Sequence, residues 1–301
     1  MTGVQTCALP ISKKGKEGRV RITYDGSMSL VKNYPYLDML DAQDYMRYVN
    51  SFAREQYMYQ NGMGVYGDKT YDGNFADVFD SDRIASAQTT NWRDMILRNG
   101  SISNHNITIS GGSNKLLYYL SGNYFKQIGT VQASEMERYT LHSNIKAQLT
   151  SFLRLSSFIN INHNVNENGT VGGSTWNSGA SNSGSLAAAM SYPTYLPLRD
   201  EEGRYTSYQT IPNGVAMSDI ENVSRSTGYN LNFTLDIDII KDMLAAKLLY
   251  GYNNESASRS VYVPSDVYYG QMYMSRGGIG RAERNNTTME ASLNLDRKSV
   301  V

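Results

Sequence analysis

Two long segments of the chain alternate apolar and polar residues with a period of two. In Arg138–Gln148, one phase carries Tyr, Leu, Ser, Ile and Ala, and the other carries Arg, Thr, His, Asn, Lys and Gln. In Tyr229–Ile239, apolar residues interleave with Asn, Asn, Thr, Asp and Asp. Because successive strand side chains point to opposite faces, each segment predicts a strand with one apolar wall and one polar wall. Such strands fit a soluble sandwich, or an outer-membrane barrel with a wet lumen and a lipid-facing exterior.

The lengths of the connections distinguish these two interpretations. Three connections are tight, at 111–115, 150–152 and 240–243. Most of the others are long, at 31–101, 165–227 and 256–285, with a shorter one at 127–137. Up-and-down transmembrane barrels alternate short periplasmic turns with longer external loops, whereas compact soluble domains seldom contain several connections of this length. The pattern therefore favours the barrel.

Eight strands are predicted, each near the roughly 10 residues that a tilted bilayer crossing needs. They span 19–29, 102–110, 116–126, 138–149, 153–164, 229–240, 244–255 and 287–295. The fold class is therefore all-β, an antiparallel up-and-down transmembrane β-barrel fragment with long external loops.

Short helices are predicted inside the long loops. Asp41 can cap a helix that runs to about Tyr59, with Tyr45, Val49 and Phe52 on one face, which Met46 and Tyr48 widen. Two further short helices are expected at 92–97 and 185–190, and a small hairpin tip at 200–203.

Composition narrows the class of protein. The chain has 301 residues and no apolar run near the ~18 residues of a transmembrane helix. It holds 24 tyrosines against 7 phenylalanines, which suits aromatic girdles at bilayer interfaces and, equally, half-buried strands. Its 28 basic and 28 acidic residues cancel, so no nucleic-acid partner is indicated.

The two ends of the chain differ in origin from the rest of the sequence, as their residues indicate. Residues 1–12, beginning MTGVQTCALPI, and residues 296–301, DRKSVV, resemble translated sequencing-adaptor DNA. We expect both ends to be non-native and the chain to be an internal fragment. The one cysteine, Cys7, lies in the first of them, so the remaining chain offers no thiol chemistry.

Candidate catalytic and metal-binding residues are sparse. His105, His142 and His163 lie in separate predicted strands without the spacing of a metal site. Asp236 and Asp238 share a strand face and are expected to be hydrated or paired with a cation such as Arg154. No nucleophile motif, P-loop or dinucleotide fingerprint occurs, so the sequence predicts no cofactor, no metal and no enzyme.

Three aromatic residues lie in a long external loop. Trp176, Tyr192 and Tyr195 could stack on sugars or pack against a peptide ligand. For any single ring, packing of the loop against itself or against a partner is the favoured interpretation.

Ordered motifs along the chain resemble a known family. They are Asn91-Trp92-Arg93-Asp94, Asn104-His105-Asn106-Ile107-Thr108-Ile109-Ser110-Gly111-Gly112, Tyr118-Tyr119 and Glu137-Arg138-Tyr139, with Lys13-Lys14-Gly15 and Leu40-Asp41-Ala42-Gln43-Asp44-Tyr45 before them. As an ordered set they are similar to elements of the SusC/RagA family of TonB-dependent outer-membrane transporters of Bacteroidetes. The resemblance covers Lys13 to Leu295.

The resemblance implies a 22-stranded barrel filled by a plug. Residues 13–18 would then end the plug, and 19–295 would form the N-terminal part of the barrel, an open curved sheet in the cell outer membrane, in contact with outer-membrane lipid. It also implies a SusD-type surface lipoprotein, energy from TonB through the plug, and an oligosaccharide or peptide ligand. Loops 31–101 and 165–227 would meet the lid or the ligand.

The resemblance gives the polar strand face a role as well. Arg154, Asn160, Asp236 and Asp238 would line the lumen. Two alternatives from other classes stay open at this point: a secreted or surface β-sandwich adhesin, and a soluble carbohydrate-active enzyme domain.

Overall fold

Eight long strands make up a little under half of the chain. The computed structural model describes residues 15–33, 38–168, 184–209, 211–241, 243–271 and 274–295. The strands are β1 Gly18–Val31, β2 Gly100–Gly112, β3 Leu116–Ile128, β4 Ser134–Gln148, β5 Leu153–Asn168, β6 Glu221–Ile240, β7 Leu244–Val263 and β8 Arg276–Leu295. The helices are α1 Ala42–Asn61, α2 Ser81–Ser86, α3 Trp92–Ile96, α4 Ser185–Ser191 and α5 Tyr268–Gln271.

The strands form one antiparallel sheet in which neighbours in the sheet are neighbours in the chain. The order is β1 to β8 without a crossover. β1 pairs with β2 alone and β8 with β7 alone, so the sheet is open at both edges. This confirms the predicted up-and-down sheet. A sandwich requires two sheets packed face to face, and the described residues form one.

The tight turns lie together at one end of the sheet. In the first, the backbone N–H of Ser113 donates to the Leu116 carbonyl at 2.7 Å. Gly112 precedes it with φ 151°, a region that side chains disfavour. Glycine at this position therefore allows the strand to reverse within three residues.

The last three strands are longer than the sequence predicts. β6, β7 and β8 each have 20 residues, so the predicted connection at 256–285 is wrong, and β7 and β8 are joined by 264–275. Strand β8 begins with Arg276-Gly277-Gly278. Both faces of these strand ends are mostly polar, so no alternation reveals them, yet backbone pairing continues to Val263–Arg276.

The buried apolar core lies in the loops rather than in the sheet. The described residues of 38–99 and 184–220, here called the loop layer, contain most of the fully buried side chains, whereas large strand residues such as Ile22 and Met289 are 68% and 76% exposed. Two clusters form the core of this layer. One contains Trp92, Ile96, Val131, Ala189 and Tyr192, and the other Ala188, Tyr205, Ala216, Met217, Ile220, Val263 and Val267.

Trp92 joins the two long loops. Its Nε1–H donates to the Pro193 carbonyl at 2.9 Å, and its ring meets Tyr192 edge-on with centroids 4.9 Å apart. Beside it, the Thr90 hydroxyl donates to the Leu196 carbonyl at 2.6 Å. The predicted helix at 92–97 is confirmed as α3, and it carries this tryptophan into the centre of the layer.

The second cluster fixes the loop layer to the sheet. Val263 of β7 is buried in it, and Val261 packs against it. Both valines follow the same alternation as Lys247, which pairs with Asp236. The loop layer therefore packs on the polar face of the sheet, at the end opposite the tight turns.

Helix α1 begins where the sequence predicts, and its buried side includes Met46 of the predicted face but not Tyr48 or Phe52. The Asp41 carboxylate accepts from the Asp44 backbone N–H at 2.7 Å, which confirms the cap. The buried residues are Ala42, Met46 and Asn50. Phe52 is 60% exposed, so its predicted place on the packed face is wrong. Asn50 displaces it because its amide bonds both backbone groups of Phe79, at 2.7 and 2.9 Å.

Replacement of Trp92 tests the organisation of the loop layer. We expect Trp92→Ala to lower the free energy of local opening of 184–209 by about 3–5 kcal/mol, because a fully buried indole leaves a cavity. Hydrogen exchange of the backbone amides in 184–209 measures this change. Met95→Ala, a partly exposed position of the same helix, serves as the control and should leave exchange nearly unchanged. Equal effects of both replacements would contradict the proposed core.

Candidate functional site

The pairing register divides the sheet into an apolar face and a polar face. Directly paired residues of antiparallel strands point to the same side. On the apolar face most large side chains are Leu, Ile, Phe and Tyr, with small residues such as Ser143 and Ser157 between them. In β4 to β6 its members include Leu141, Ile145, Leu155, Ile159, Ile161, Leu231, Phe233 and Leu235. A surface of this size and composition does not suit contact with water.

Aromatic and histidine rings cross the apolar face in a band. Tyr24 and His105 share a 2.7 Å hydrogen bond between the hydroxyl and Nδ1. The His105 and Tyr124 rings stack at 6.4 Å, Tyr124 and Tyr139 lie 5.0 Å apart, and Tyr139 and His163 lie 6.4 Å apart. Five neighbouring strands therefore carry amphipathic rings, as in the girdle of a transmembrane barrel.

Charged residues follow immediately beyond this band. One step closer to the loop layer, Lys126 pairs directly with Glu137 on the same face, with Nζ and Oε1 2.8 Å apart. The apolar surface therefore ends at the aromatic band. Between Leu116 and Tyr124 in β3, the apolar rows extend for about 27 Å along the strand at ~3.4 Å per residue.

From β4 to β7, both edges of the apolar surface shift along the strands toward the tight turns. Tyr139 and His163 occupy one row, Tyr229 lies one step closer to the turns, and Tyr252 one step further again. The tight turns shift in the same direction. A shift of about one residue per strand corresponds to a tilt of roughly 35° for strands ~4.8 Å apart, which is the tilt of transmembrane barrels.

The polar face is lined mainly by side-chain amides and hydroxyls. One row runs Thr23, Thr108, Ser121, His142, Asn160, Asn230, Asn253, Asn286. Such a wall fits water or polar partners. Arg154, Asp236 and Asp238 lie on this face with Asn160, toward the tight turns.

Arg154 lies opposite Asp236 in the register. Its Nε–H nevertheless donates to Gln148 at 3.1 Å, and no ion pair of 4.0 Å or less joins it to Asp236 in the described part of the chain. Asp238 is exposed beside the turn. Asp236 also faces Lys247 of β7 in the register, and the expected hydration or pairing of the two carboxylates stays a prediction.

A cluster of rings interrupts the polar face. His142 of β4 meets Tyr119 of β3 edge-on at 5.8 Å and Phe158 of β5 at 5.0 Å. We call Tyr119, His142 and Phe158 the ring cluster. Sequence reasoning missed it because the rings lie on three strands. The available signal was Phe158, an apolar residue in a phase of Ser156, Asn160 and other polar residues.

The loop aromatics predicted to bind ligand have different environments. Tyr192 is 1% exposed, and its hydroxyl donates to the Thr206 carbonyl at 2.5 Å, so it packs the loop against itself. Tyr195 is half-buried between Tyr45, 5.8 Å away, and Phe79, 5.1 Å away. Trp176 lies outside the described residues.

Two tyrosines of the loop layer have strongly raised pKa values. Burial raises the pKa of Tyr45 to about 12, helped by neighbouring Tyr208 and Tyr195. Burial also raises the pKa of Tyr205 to about 12, together with its 2.6 Å hydrogen bond to the Asp219 carboxylate. Both groups are therefore neutral hydrogen-bonding partners at physiological pH.

The histidines do not converge. His105 and His163 belong to the apolar face and His142 to the polar face. Among the described residues no group of three His, Cys, Asp or Glu side chains could hold a metal ion. No described helix is both long and apolar enough to cross a membrane.

The curated proteins that the chain resembles in sequence are TonB-dependent receptors. The chain is 25% identical to TonB-dependent receptor P3 of Formosa agariphila over 297 residues. This alignment covers 97% of the chain and 26% of the receptor. It is 29% identical over 135 residues to the TonB-dependent receptor SusC of Bacteroides thetaiotaomicron, covering 44% of the chain and 11% of the receptor. No protein-family model matches the chain.

Solved structures show the same fold. The RagAB peptide transporter aligns with a TM-score of 0.58 and 19% identity, covering 94% of the chain and 33% of the transporter chain. Its closed-closed state aligns with a TM-score of 0.59, covering 93% and 33%. Nearly the whole chain aligns with receptor P3 and with the RagAB transporter chain. It spans about a quarter of the length of the first and a third of the length of the second.

An open up-and-down sheet with one apolar face, an aromatic girdle and tilted strands defines a segment of an outer-membrane β-barrel. The ordered motifs and the relatives are more specific. The chain is similar to TonB-dependent receptors of the outer membrane, SusC among them. Its relatives are receptors and a transporter rather than enzymes.

Paired charge substitutions test the assignment of the two faces. Phe233 and Asn232 are neighbours in β6 and point to opposite faces. In the receptor folded into liposomes, we expect Phe233→Arg to lower the free energy of unfolding by about 2–4 kcal/mol, because a cation near the bilayer centre is poorly solvated. The matched control Asn232→Arg should change it little. Denaturant titration measures both, and equal costs would contradict the assignment.

Alkaline titration tests the perturbed phenols. The fold favours the neutral form of Tyr45 and Tyr205, so their contribution to the free energy of unfolding is complete below about pH 10 and is lost as the pH rises to about 12. We expect Tyr205→Phe to weaken this pH dependence in denaturant titrations of the loop layer. Phe52→Leu, which removes no ionisable group, is the control. An unchanged pH dependence in Tyr205→Phe would contradict the assignment.

Proposed function

We propose that the chain is part of a transporter that imports oligosaccharides or peptides across the outer membrane. The observation that carries this proposal is the opposition of the two faces. The apolar face ends at an aromatic girdle, and the polar face bears amides and hydroxyls from β1 to β8. A sheet of this kind separates lipid from a hydrated passage.

The residues that would line this passage are those of the polar face. Arg154, Asn160, Asp236 and Asp238 are proposed as lumen-lining residues. Support comes from the register, in which Arg154 opposes Asp236 and Asn160 opposes Asn230. Hydrated carboxylates and amides in this position would keep the passage polar without binding a permeating solute tightly.

The loop layer is proposed as the external surface that meets the ligand and a SusD-type lipoprotein. It packs on the polar face at the end opposite the tight turns, and this position supports its proposed place at the mouth of the passage. Tyr195 is proposed as a ligand contact because its ring is half-buried beside Tyr45 and Phe79. Tyr192 and Trp176 are proposed at the same loop, with Tyr192 acting through the packing of that loop.

The energy for import is proposed to reach the barrel through TonB and a plug inside the lumen. Residues 13–18 would end this plug, and 19–295 would belong to the barrel wall. The relatives named TonB-dependent receptors support this division. Transport rather than catalysis is the proposed activity, and the relatives named as receptors support it.

Growth of a deletion strain tests the proposal. We expect deletion of the complete receptor gene to reduce uptake of either an oligosaccharide mixture or a peptide digest as sole nutrient by at least about tenfold, because passive entry of such solutes is slow. Uptake of labelled solute measures the loss. A tagged receptor should also co-purify with a lipoprotein from outer-membrane extracts.

The controls separate transport from other surface functions. A complementing copy without its TonB box should reach the outer membrane and still fail to import. Normal uptake of both nutrient classes by the deletion strain would refute the transporter. A gene that joins this segment to a catalytic or immunoglobulin-like domain would refute it as well.

A further inference from the structure

We propose that the apolar face of β6, β7 and β8, with its polar continuation toward the loop layer, binds one phosphate-bearing glycolipid of the external membrane leaflet. The site has three parts along these strands: an apolar groove, a polar cluster next to it, and two arginines beyond the cluster. This inference requires the outer-membrane position of the sheet, and it does not depend on which solute is imported.

The apolar groove lies on the lipid-facing side of the sheet. It has a volume of about 510 Å³, and its walls include Phe233, Leu248, Tyr250, Met289 and Ala291. These side chains occupy two adjacent rows of the apolar face. The groove therefore opens toward lipid rather than toward the polar face.

The length of the groove fits one acyl chain. In β7 and β8 the apolar surface ends at the paired residues Tyr252 and Thr287, and Ala291 lies four residues from Thr287 toward the tight turns. At ~3.4 Å per residue this is about 14 Å, close to half of the ~30 Å hydrocarbon core of a bilayer. An acyl chain that begins at the membrane boundary therefore reaches the end of the groove.

A polar cluster continues the same face toward the loop layer. We define it as Tyr252, Asn254, Glu283 and Asn285. The Asn254 amide donates to the Glu283 carboxylate at 3.1 Å and to the Asn285 side-chain oxygen, and the Asn285 amide donates to Glu283 at 3.3 Å. The Tyr252 hydroxyl donates to the Asn285 side-chain oxygen at 3.3 Å. These bonds hold carboxylate, amide and hydroxyl groups together at the membrane boundary.

The polar cluster favours sugar over a bare phosphate as its neighbour. Amides and carboxylates donate to and accept from hydroxyl groups, whereas the Glu283 carboxylate repels a phosphate placed beside it. From Tyr252 to Ser258, which lies between the two arginines, β7 extends for six residues, or about 20 Å. A headgroup that spans this interval from the acyl chain to a phosphate must contain sugar units.

The two arginines lie beyond the polar cluster on the same face. Arg225 of β6 and Arg281 of β8 flank Ser258 of β7 in one row, so their strands are about 10 Å apart. Both arginines are exposed, and no ion pair of 4.0 Å or less includes either one among the residues that the structure describes. Guanidinium groups bind phosphate oxygens through paired hydrogen bonds, so this row favours a phosphate.

The order of the three parts favours a lipid over a protein as the occupant. An apolar groove within the hydrocarbon region, hydrogen-bonding groups at its boundary and cations outside it match the acyl chain, sugars and phosphate of a glycolipid. The arginines lie at the end opposite the tight turns. Tight turns of transmembrane barrels face the periplasm, so the arginines face the external leaflet.

Native mass spectrometry of the complete purified receptor tests this inference. The probe is a rough lipopolysaccharide, a glycolipid with a short phosphorylated sugar chain, and we expect one tightly bound molecule per receptor. The double replacement Arg225→Gln and Arg281→Gln should weaken its binding at least about tenfold, since each arginine attracts the anionic headgroup. Arg259→Gln with Arg284→Gln is the matched control, because these arginines of β7 and β8 point to the polar face.

A second replacement tests the groove. Ala291→Trp places an indole in the groove, and we expect it to weaken lipopolysaccharide binding about tenfold because the acyl chain loses apolar contact. Leu293→Trp is the matched control, since Leu293 lies on the same face of β8, one row closer to the tight turns.

Each outcome supports or overturns the site. Binding that falls in both site variants and for phosphatase-treated lipopolysaccharide, but not in either control, supports it. Equal binding by all variants overturns it, and so does phosphatidylglycerol that displaces the lipopolysaccharide at equal concentration, since the sugars would then contribute nothing. A protein that co-purifies with the unmodified receptor and is lost in the arginine variant would also overturn it.

The folding of the variants needs its own measurement. Folded transmembrane barrels migrate differently on gels before and after heating, so this shift reports whether the wall is intact. We expect every variant to retain it, because the wall keeps its backbone hydrogen bonds. Loss of the shift in the arginine variant would overturn the inference, since the arginines would then stabilise the wall itself.

Discussion

Backbone hydrogen bonding in a medium without water is the constraint on which this structure depends. A strand that faces lipid cannot leave N–H or C=O groups unpaired, because each unpaired group costs several kcal/mol there. The register of β1 to β8 meets this requirement for every interior strand, and only the outer edges of β1 and β8 stay open. The side chains are then free to divide between two solvents, as they do in Tyr229–Ile239.

The location of the buried core follows from the same constraint. In a water-soluble β-protein the apolar face of the sheet would turn inward and form the core. Here lipid covers that face, so the sheet needs no internal core, and the side chains with least exposure lie in the loop layer. Trp92 and Tyr192 in one cluster, and Met217 and Val267 in the other, give the external loops a fixed shape that hydrogen bonds alone would not provide.

The sequence was sufficient for the parts of the fold governed by local pattern. Alternation located eight strands, the short connection at 111–115 located the first turn, and Asp41 located the start of α1. The ends of β7 and β8 were missed because Ser256–Ser260 and Arg281–Asn286 are polar on both faces, and only pairing between distant segments keeps them extended. The packed face of α1 was also missed, since its choice depends on the backbone of Phe79, 29 residues from Asn50.

In the candidate site too, local pattern predicts some features, whereas others depend on contacts between distant segments. Arg154, Asn160 and Asp236 could be assigned to the polar face from alternation alone, because a strand fixes the direction of its side chains. The partner of Arg154 could not, since Gln148 competes for its guanidinium across the turn. The ring cluster required the register of three strands, which fixes Tyr119 and Phe158 in one row, and no single segment contains that information.

The strand order carries a consequence for assembly and for evolution. Because each strand pairs with the one before it in the chain, the sheet can grow one hairpin at a time from a single edge, and no segment has to thread past another. Loop closure stays local at each step, which keeps the entropic cost of each pairing small. Wall segments of this kind can also gain or lose a whole hairpin by duplication or deletion, so the diameter of the enclosed passage can change while the pairing rules of the remaining strands persist.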